Sequence, residues 1–138
     1  MIILDTNVIS ELMREYPDAN VQAWIEKQKP IHLSITTIAI AEIQRGLCRL
    51  PNGKRKSRLK QSFEDFISEA FEWRIFEFDE SAAYVYGEIA AKRELTGFNT
   101  DAVDLMITAI AKSRNAGIAT RNTKDFEGCG VKVINPWE

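Results

Sequence analysis

What most constrains this chain is a recurring unit: a short apolar run too brief for a helix, a few polar residues, then a longer segment with apolar positions at helical spacing. Ile2-Ile3-Leu4 opens the series. Ile31-His32-Leu33-Ser34-Ile35, the stretch from Trp73 to Phe78, Gly117-Ile118-Ala119-Thr120 and Val131-Lys132-Val133-Ile134 repeat it. Such runs, rich in β-branched residues, read as strands, and strands separated by helices pair in parallel with the helices packed on both faces. The pattern predicts one α/β/α sandwich spanning residues 1–138, on a mostly parallel sheet of about five strands with about six or seven helices and right-handed crossovers.

The helices have legible faces. Val8 to Met13 has helical spacing and ends at Tyr16-Pro17-Asp18; Val21, Trp24 and Ile25 stripe a second helix that stops before Pro30. From Thr36 to Leu50 the apolar face is Ala39, Ile40, Ile43 and Leu47, with Glu42 lying off it, where pairing with Arg45 is the ordinary role. Pro51-Asn52-Gly53 turns the chain into a helix that buries Leu59, Phe63, Phe66, Ile67 and Ala70. A long helix through Leu95 follows, broken by Thr96-Gly97-Phe98-Asn99-Thr100, and then an apolar-rich helix, Asp101 to Ala111. On this last helix Asp101, Asp104 and Thr108 share a narrow polar stripe with Lys112 and Asn115, so it is expected to be mostly buried with carboxylates that need partners.

Composition narrows the class. With 45% hydrophobic and 28% charged residues the chain is that of a soluble globular protein. No apolar run reaches the roughly 18 residues of a membrane span, and the N-terminus lacks a signal peptide, so a cytoplasmic location without membrane contact is expected. Cys48 and Cys129 are expected to be reduced and structural, and the one histidine, His32, has no neighbouring ligand to make a metal site with it. Eighteen Lys plus Arg against 20 Asp plus Glu leave a net charge of −2, so nucleic-acid binding would need a local patch or metal ions. The one basic run, Lys54 to Lys60, is either a solvated helix face or a phosphate-contacting patch.

Parallel α/β sheets bind ligands beyond the carboxyl ends of their strands. Asp5 stands there, although an Asp before a helix also serves as an N-cap, and Asp79 sits in just such a place. The stretch Asn122 to Asp125 reaches the same edge, and Glu42 and Asp104 can lean over it from helices. Carboxylates gathered together repel unless a cation lies between them, and an all-oxygen, highly charged set suits Mg²⁺ or Mn²⁺. The chemistry that follows is metal-assisted phosphodiester hydrolysis.

Spacing alone does not single out these acids among twenty. The segments Ile3-Leu4-Asp5-Thr6-Asn7, Ala41-Glu42-Ile43-Gln44-Arg45-Gly46, Asp104-Leu105-Met106-Ile107-Thr108-Ala109 and Thr120-Arg121-Asn122-Thr123-Lys124-Asp125-Phe126, with the closing Asn135-Pro136-Trp137, do. Taken in order, they resemble the PIN-domain ribonucleases, in particular the VapC/FitB-like toxins of type II toxin–antitoxin pairs. The resemblance implies an endoribonuclease dependent on Mg²⁺ or Mn²⁺ that cuts a specific tRNA, rRNA or mRNA and is silenced by a cognate antitoxin. It further implies a homodimer and a toxin–antitoxin hetero-oligomer. By position, Asp5, Glu42 and Asp104 match the metal-binding, catalytic acids, with Glu42 either a ligand or the group that orients the attacking water. Thr6, Asn7, Thr36, Thr120, Asn122 and Asp125 match supporting pocket positions. Asn122 stands where the family often has a fourth acid, which implies one firmly held metal and a second only with RNA. Lys54, Arg55, Lys56 and Arg58 would contact RNA, and Leu12, Met13, Trp24 and Ile25 could floor an antitoxin groove. The alternative is a non-catalytic PIN-like module that binds RNA or protein; a phosphorylated receiver domain fits poorly, because no Lys follows the last strand.

Overall fold

The computed structural model describes residues 1–72, 74–97 and 101–138; Trp73, in the expected third strand, and Phe98-Asn99-Thr100, in the expected helix break, lie outside the described residues. In chain order the elements are β1 (Ile2–Leu4), α1 (Thr6–Leu12), α2 (Ala19–Glu26), β2 (Leu33–Thr36), α3 (Thr37–Cys48) and α4 (Lys54–Phe71). They continue with β3 (Ile75–Phe76), α5 (Glu80–Leu95), α6 (Ala102–Ser113), β4 (Gly117–Ala119) and β5 (Val133–Ile134), with 3₁₀ turns at Pro30–His32 and Thr123–Phe126. The described strands form one sheet in the order β3-β2-β1-β4-β5, and every pairing in it is parallel. The expected α/β sandwich is therefore the fold, with a wholly parallel sheet.

Side chains alternate across the strands and so divide the core in two. Leu4 and Ala119 join the layer of α1 to α4, with Val8, Ile43, Phe63 and Phe71; Ile3 and Ile118 face α5 and α6, with Ala82, Ile107 and Ile110. Strands buried on both faces need apolar residues at successive positions, which is why β1 reads as an uninterrupted run. As expected, α6 is mostly buried: Leu105 and every residue from Ile107 to Ala111 are inaccessible or nearly so.

Three boundaries differ from the sequence expectation. Strand β2 starts at Leu33 because Pro30, which cannot donate to a ladder, opens a 3₁₀ turn, and Arg74 secures that turn by donating to the carbonyls of Pro30 and Leu33. Ile31 and His32 are exposed as a result. Strand β3 is reduced to two residues at the sheet's edge, and β5 begins at Val133 rather than Val131.

The sheet's strand order places the site. From β1 the chain runs outward to β2 and β3, then crosses over α5 and α6 to β4 on the other side of β1, so the order reverses between β1 and β4. The crevice beyond such a switch point is where an open α/β sheet offers ligand space. In register, Leu4 pairs with Ala119, and the N–H of Asp5 donates to the Ala119 carbonyl at 2.9 Å. The next residues along, Asp5 and Thr120, are thereby set side by side at the mouth of the switch.

Candidate active site

Asp5 performs the capping role first: it is the N-cap of α1, and its Oδ1 accepts the N–H of Thr6 at 2.8 Å. The other oxygen leads elsewhere. Thr120 Oγ1 lies 2.8 Å from Asp5 Oδ2 and also accepts N–H groups from Asn7 Nδ2 at 3.2 Å and from the Asn122 backbone at 3.1 Å. Because that hydroxyl oxygen already receives two donors, its own proton is directed to Asp5. Asn7 completes the clasp: Nδ2 approaches Asp5 Oδ2 at 3.4 Å, and Oδ1 accepts the N–H of Arg121 at 3.2 Å. Thr6 in turn donates its hydroxyl to Glu42 Oε1 at 2.7 Å. One residue thus touches Asp5 through its backbone and Glu42 through its side chain.

Glu42 sits on an exposed position of α3, whose first turn is fixed by Thr36. Thr36 is fully buried, and its hydroxyl oxygen accepts the N–H of Ala39 at 3.1 Å, so it anchors the helix that carries Glu42. Among the described residues no ion pair joins Glu42 to Arg45; Thr6 is its partner. Asp104, in the first turn of α6, comes from the opposite helical layer.

The acids feel one another. The Asp104 carboxyl is pushed up from 3.8 to about 7, chiefly by burial and then by the negative charges of Asp5, Asp125, Asp101 and Glu42. Asp5, 5% exposed, is raised as well: burial dominates, the bonds from Thr120 and Thr6 oppose it, and Glu42 and Asp125 add to it. Asp125, exposed in the 3₁₀ turn after β4, is therefore electrostatically part of the cluster, while Asn122 caps that turn and contributes its N–H to Thr120.

Among the described residues no three Asp, Glu, His or Cys groups converge tightly enough to form a ready-made metal cage. Mutual repulsion holds bare carboxylates apart, and Thr6 draws Glu42 to its own hydroxyl. The donor set itself, carboxylates alone with Asp104 only partly ionised near neutrality, fits a hard divalent cation, which would compete with that proton and offset the repulsion.

The basic run divides. Lys56 is committed to α3, donating to the Cys48 carbonyl at 3.1 Å and to Asn52 Oδ1 at 3.2 Å, whereas Lys54 is exposed. Arg55 and Arg58 line a groove of about 560 Å³ between α1, α3 and α4, with Thr6 and Glu42 also on its wall. Met13, Ile43, Leu47 and Leu59 supply its apolar lining. Of the four residues expected to floor an antitoxin groove, Met13 lines this one; Leu12, Trp24 and Ile25 pack against the core. Sequence reasoning passed over Arg121, whose backbone is held by Asn7; its place immediately after a strand end was the available signal.

The family model described as PIN domain matches residues 2–129. Over 138 residues, all of this chain and 99% of the relative, the chain is 41% identical to the plasmid stability protein StbB of Pseudomonas syringae pv. tomato. With the same coverage it is 38% identical to the VapC ribonuclease Y4jK of Sinorhizobium fredii. It is 39% identical to the toxin FitB of Neisseria gonorrhoeae over 99% of each. The crystal structure of FitAcB from Neisseria gonorrhoeae superposes with a TM-score of 0.93 at 38% identity, covering 100% of this chain and 99% of that one.

Proposed function

Because the chain belongs to the PIN-domain family, we propose that it is an endoribonuclease and the toxin of a type II toxin–antitoxin pair, hydrolysing phosphodiester bonds of a specific RNA with Mg²⁺ or Mn²⁺. The observation that carries the reading is that Asp5, Glu42 and Asp125, from separate elements at the switch-point crevice, lie near enough to Asp104 for their charges to add to burial in raising its carboxyl to about 7. Structural carboxylates pair with cationic side chains; these face one another. Relatives that cover the whole chain are named a VapC ribonuclease and a toxin.

Asp5 and Asp104 would hold the ion, with Glu42 as a third ligand or as the group that orients the attacking water. When bound, the ion makes a hydroxide-like nucleophile accessible at neutral pH and neutralises charge on the scissile phosphate. The chain's own residues do the arranging. Thr120 and Asn7 both donate to Asp5 Oδ2, while Oδ1 accepts only the Thr6 N–H and keeps a lone pair for the crevice. Thr6 holds Glu42 beside Asp5. Asp104 would hold the ion as the carboxylate, and Asn122 and Asp125 would border the space for water or phosphate. Asn122 adds no charge, so a second ion would depend on the phosphate for its ligands.

The groove beside Glu42 suits the partner. An apolar floor with Arg55 and Arg58 on one wall and Glu15 and Glu42 on another fits a peptide of apolar and charged side chains, the seat expected of a cognate antitoxin. The homodimer expected of such a toxin belongs to the same reading.

Purified protein incubated with total RNA and Mn²⁺ should generate discrete ends, found by end mapping, that vanish with chelator and in both Asp5→Asn and Asp104→Asn. Cleavage that persists unchanged in both variants would remove the enzyme reading and leave the binding-module alternative.

A further inference from the structure

We propose that Arg121, held over the ring of Trp137 at the lip of the acidic crevice, is an RNA-contacting residue that receives a phosphate flanking the scissile bond. The proposal rests on the ribonuclease reading and extends it to a residue outside the acidic set.

The backbone of Arg121 stands one side chain away from Asp5. Its N–H donates to Asn7 Oδ1 at 3.2 Å, and the other end of that amide reaches Asp5 Oδ2 at 3.4 Å. An exposed arginine beside several carboxylates would ordinarily fold onto them. Here the guanidinium carbon lies 5.2 Å from the centroid of the Trp137 ring, and among the described residues it forms no side-chain hydrogen bond or ion pair. The π-face attracts the cation without giving it a carboxylate, so the positive charge is kept at the rim and the acids stay free for a metal ion. Its N–H edges remain available to phosphate oxygens, for which the planar fork is well shaped.

The ring is itself secured. Trp137 packs against the core layer of α1 to α4; its backbone N–H donates to Asn135 Oδ1 at 2.9 Å, and its backbone carbonyl accepts from Asn20 Nδ2 at 2.9 Å. This gives the closing Asn135-Pro136-Trp137 segment a task that the acidic site does not explain. The bond between Asn7 and Arg121 links that task to the metal-binding loop, so the cation and the carboxylates share one support.

The test measures affinity for a short fluorescein-labelled single-stranded RNA in Asp104→Asn, which uncouples binding from cleavage, at several salt concentrations. Adding Arg121→Ala is expected to weaken binding about tenfold and lower the salt slope by about one. Arg121→Lys should restore the slope but only part of the affinity, and Trp137→Leu should weaken binding while leaving Mn²⁺ affinity of the otherwise unaltered chain, read by electron paramagnetic resonance, unchanged. Equal RNA binding with and without Arg121, in a protein of unaltered unfolding midpoint, overturns the proposal and leaves the pair as a surface staple. Unchanged RNA binding with weakened antitoxin inhibition overturns it in favour of a protein contact. A parent protein that neither binds nor cuts RNA removes the ribonuclease reading itself, and the proposal with it.

Discussion

At the scale of single residues, Thr120 carries more than its size implies. Its hydroxyl accepts from Asn7 and Asn122 and donates to Asp5, in a position with no solvent exposure to replace any of them. Thr120→Val keeps the shape but strands two donors and one carboxylate oxygen, which should cost about 1–3 kcal/mol of stability. Loss of a residue that orients a metal ligand typically lowers metal affinity by 10–100-fold. Calorimetric titration with Mn²⁺ and thermal unfolding should therefore both report the change, and Thr120→Ser should recover most of each. The acids and Thr120 could be picked from the sequence because short motifs mark them. The clasp could not, since it joins residues 115 apart and depends on the strand register. For Thr36 the sequence leaves open whether a hydroxyl at a strand end turns to the next helix or to the pocket; in the fold its oxygen accepts the N–H of Ala39.

Among the elements, α4 has an unfavourable end. It closes on Glu72, a non-glycine residue in the left-handed region with φ 49°, whose N–H donates to the Ile67 carbonyl and whose carboxylate lies 3.8 Å from Arg74. Glycine suits that conformation at C-termini of helices, so Glu72→Gly should stabilise by about 0.5 kcal/mol, measured by denaturant midpoint. The elements were the most readable level of the sequence. Helices α4 and α6 announce themselves by periodicity, and α5 by the acid before it, Asp79, which accepts the N–H of Ala82. The shortest strands were overestimated because apolar alternation continues past the last ladder bond: Phe78 packs against the α5–α6 core layer although β3 has already ended.

For the molecule as a whole, raised carboxyl pKa values set a pH dependence. Asp104 titrates near 7 when folded against an ordinary 3.8, and Asp5 shifts in the same direction, so the folded state binds more protons than the unfolded chain between those limits. Stability of the metal-free protein should accordingly fall as pH rises from about 4 to about 7 and level off above it. Thermal unfolding in chelator across that range should show the decline, and Asp104→Asn should flatten it. Manganese should reverse it, with affinity increasing toward pH 8 as the proton it displaces becomes easier to remove.

The position of β1 in the middle of the sheet also has a temporal side. Asp5 follows β1 directly, but the strand that gives its oxygens their orientation, β4, is made more than a hundred residues later. A nascent chain stalled between Asp104 and Thr120 carries the acids but lacks the residue that orients Asp5, so the geometry of the crevice should form only after Thr120 has been made.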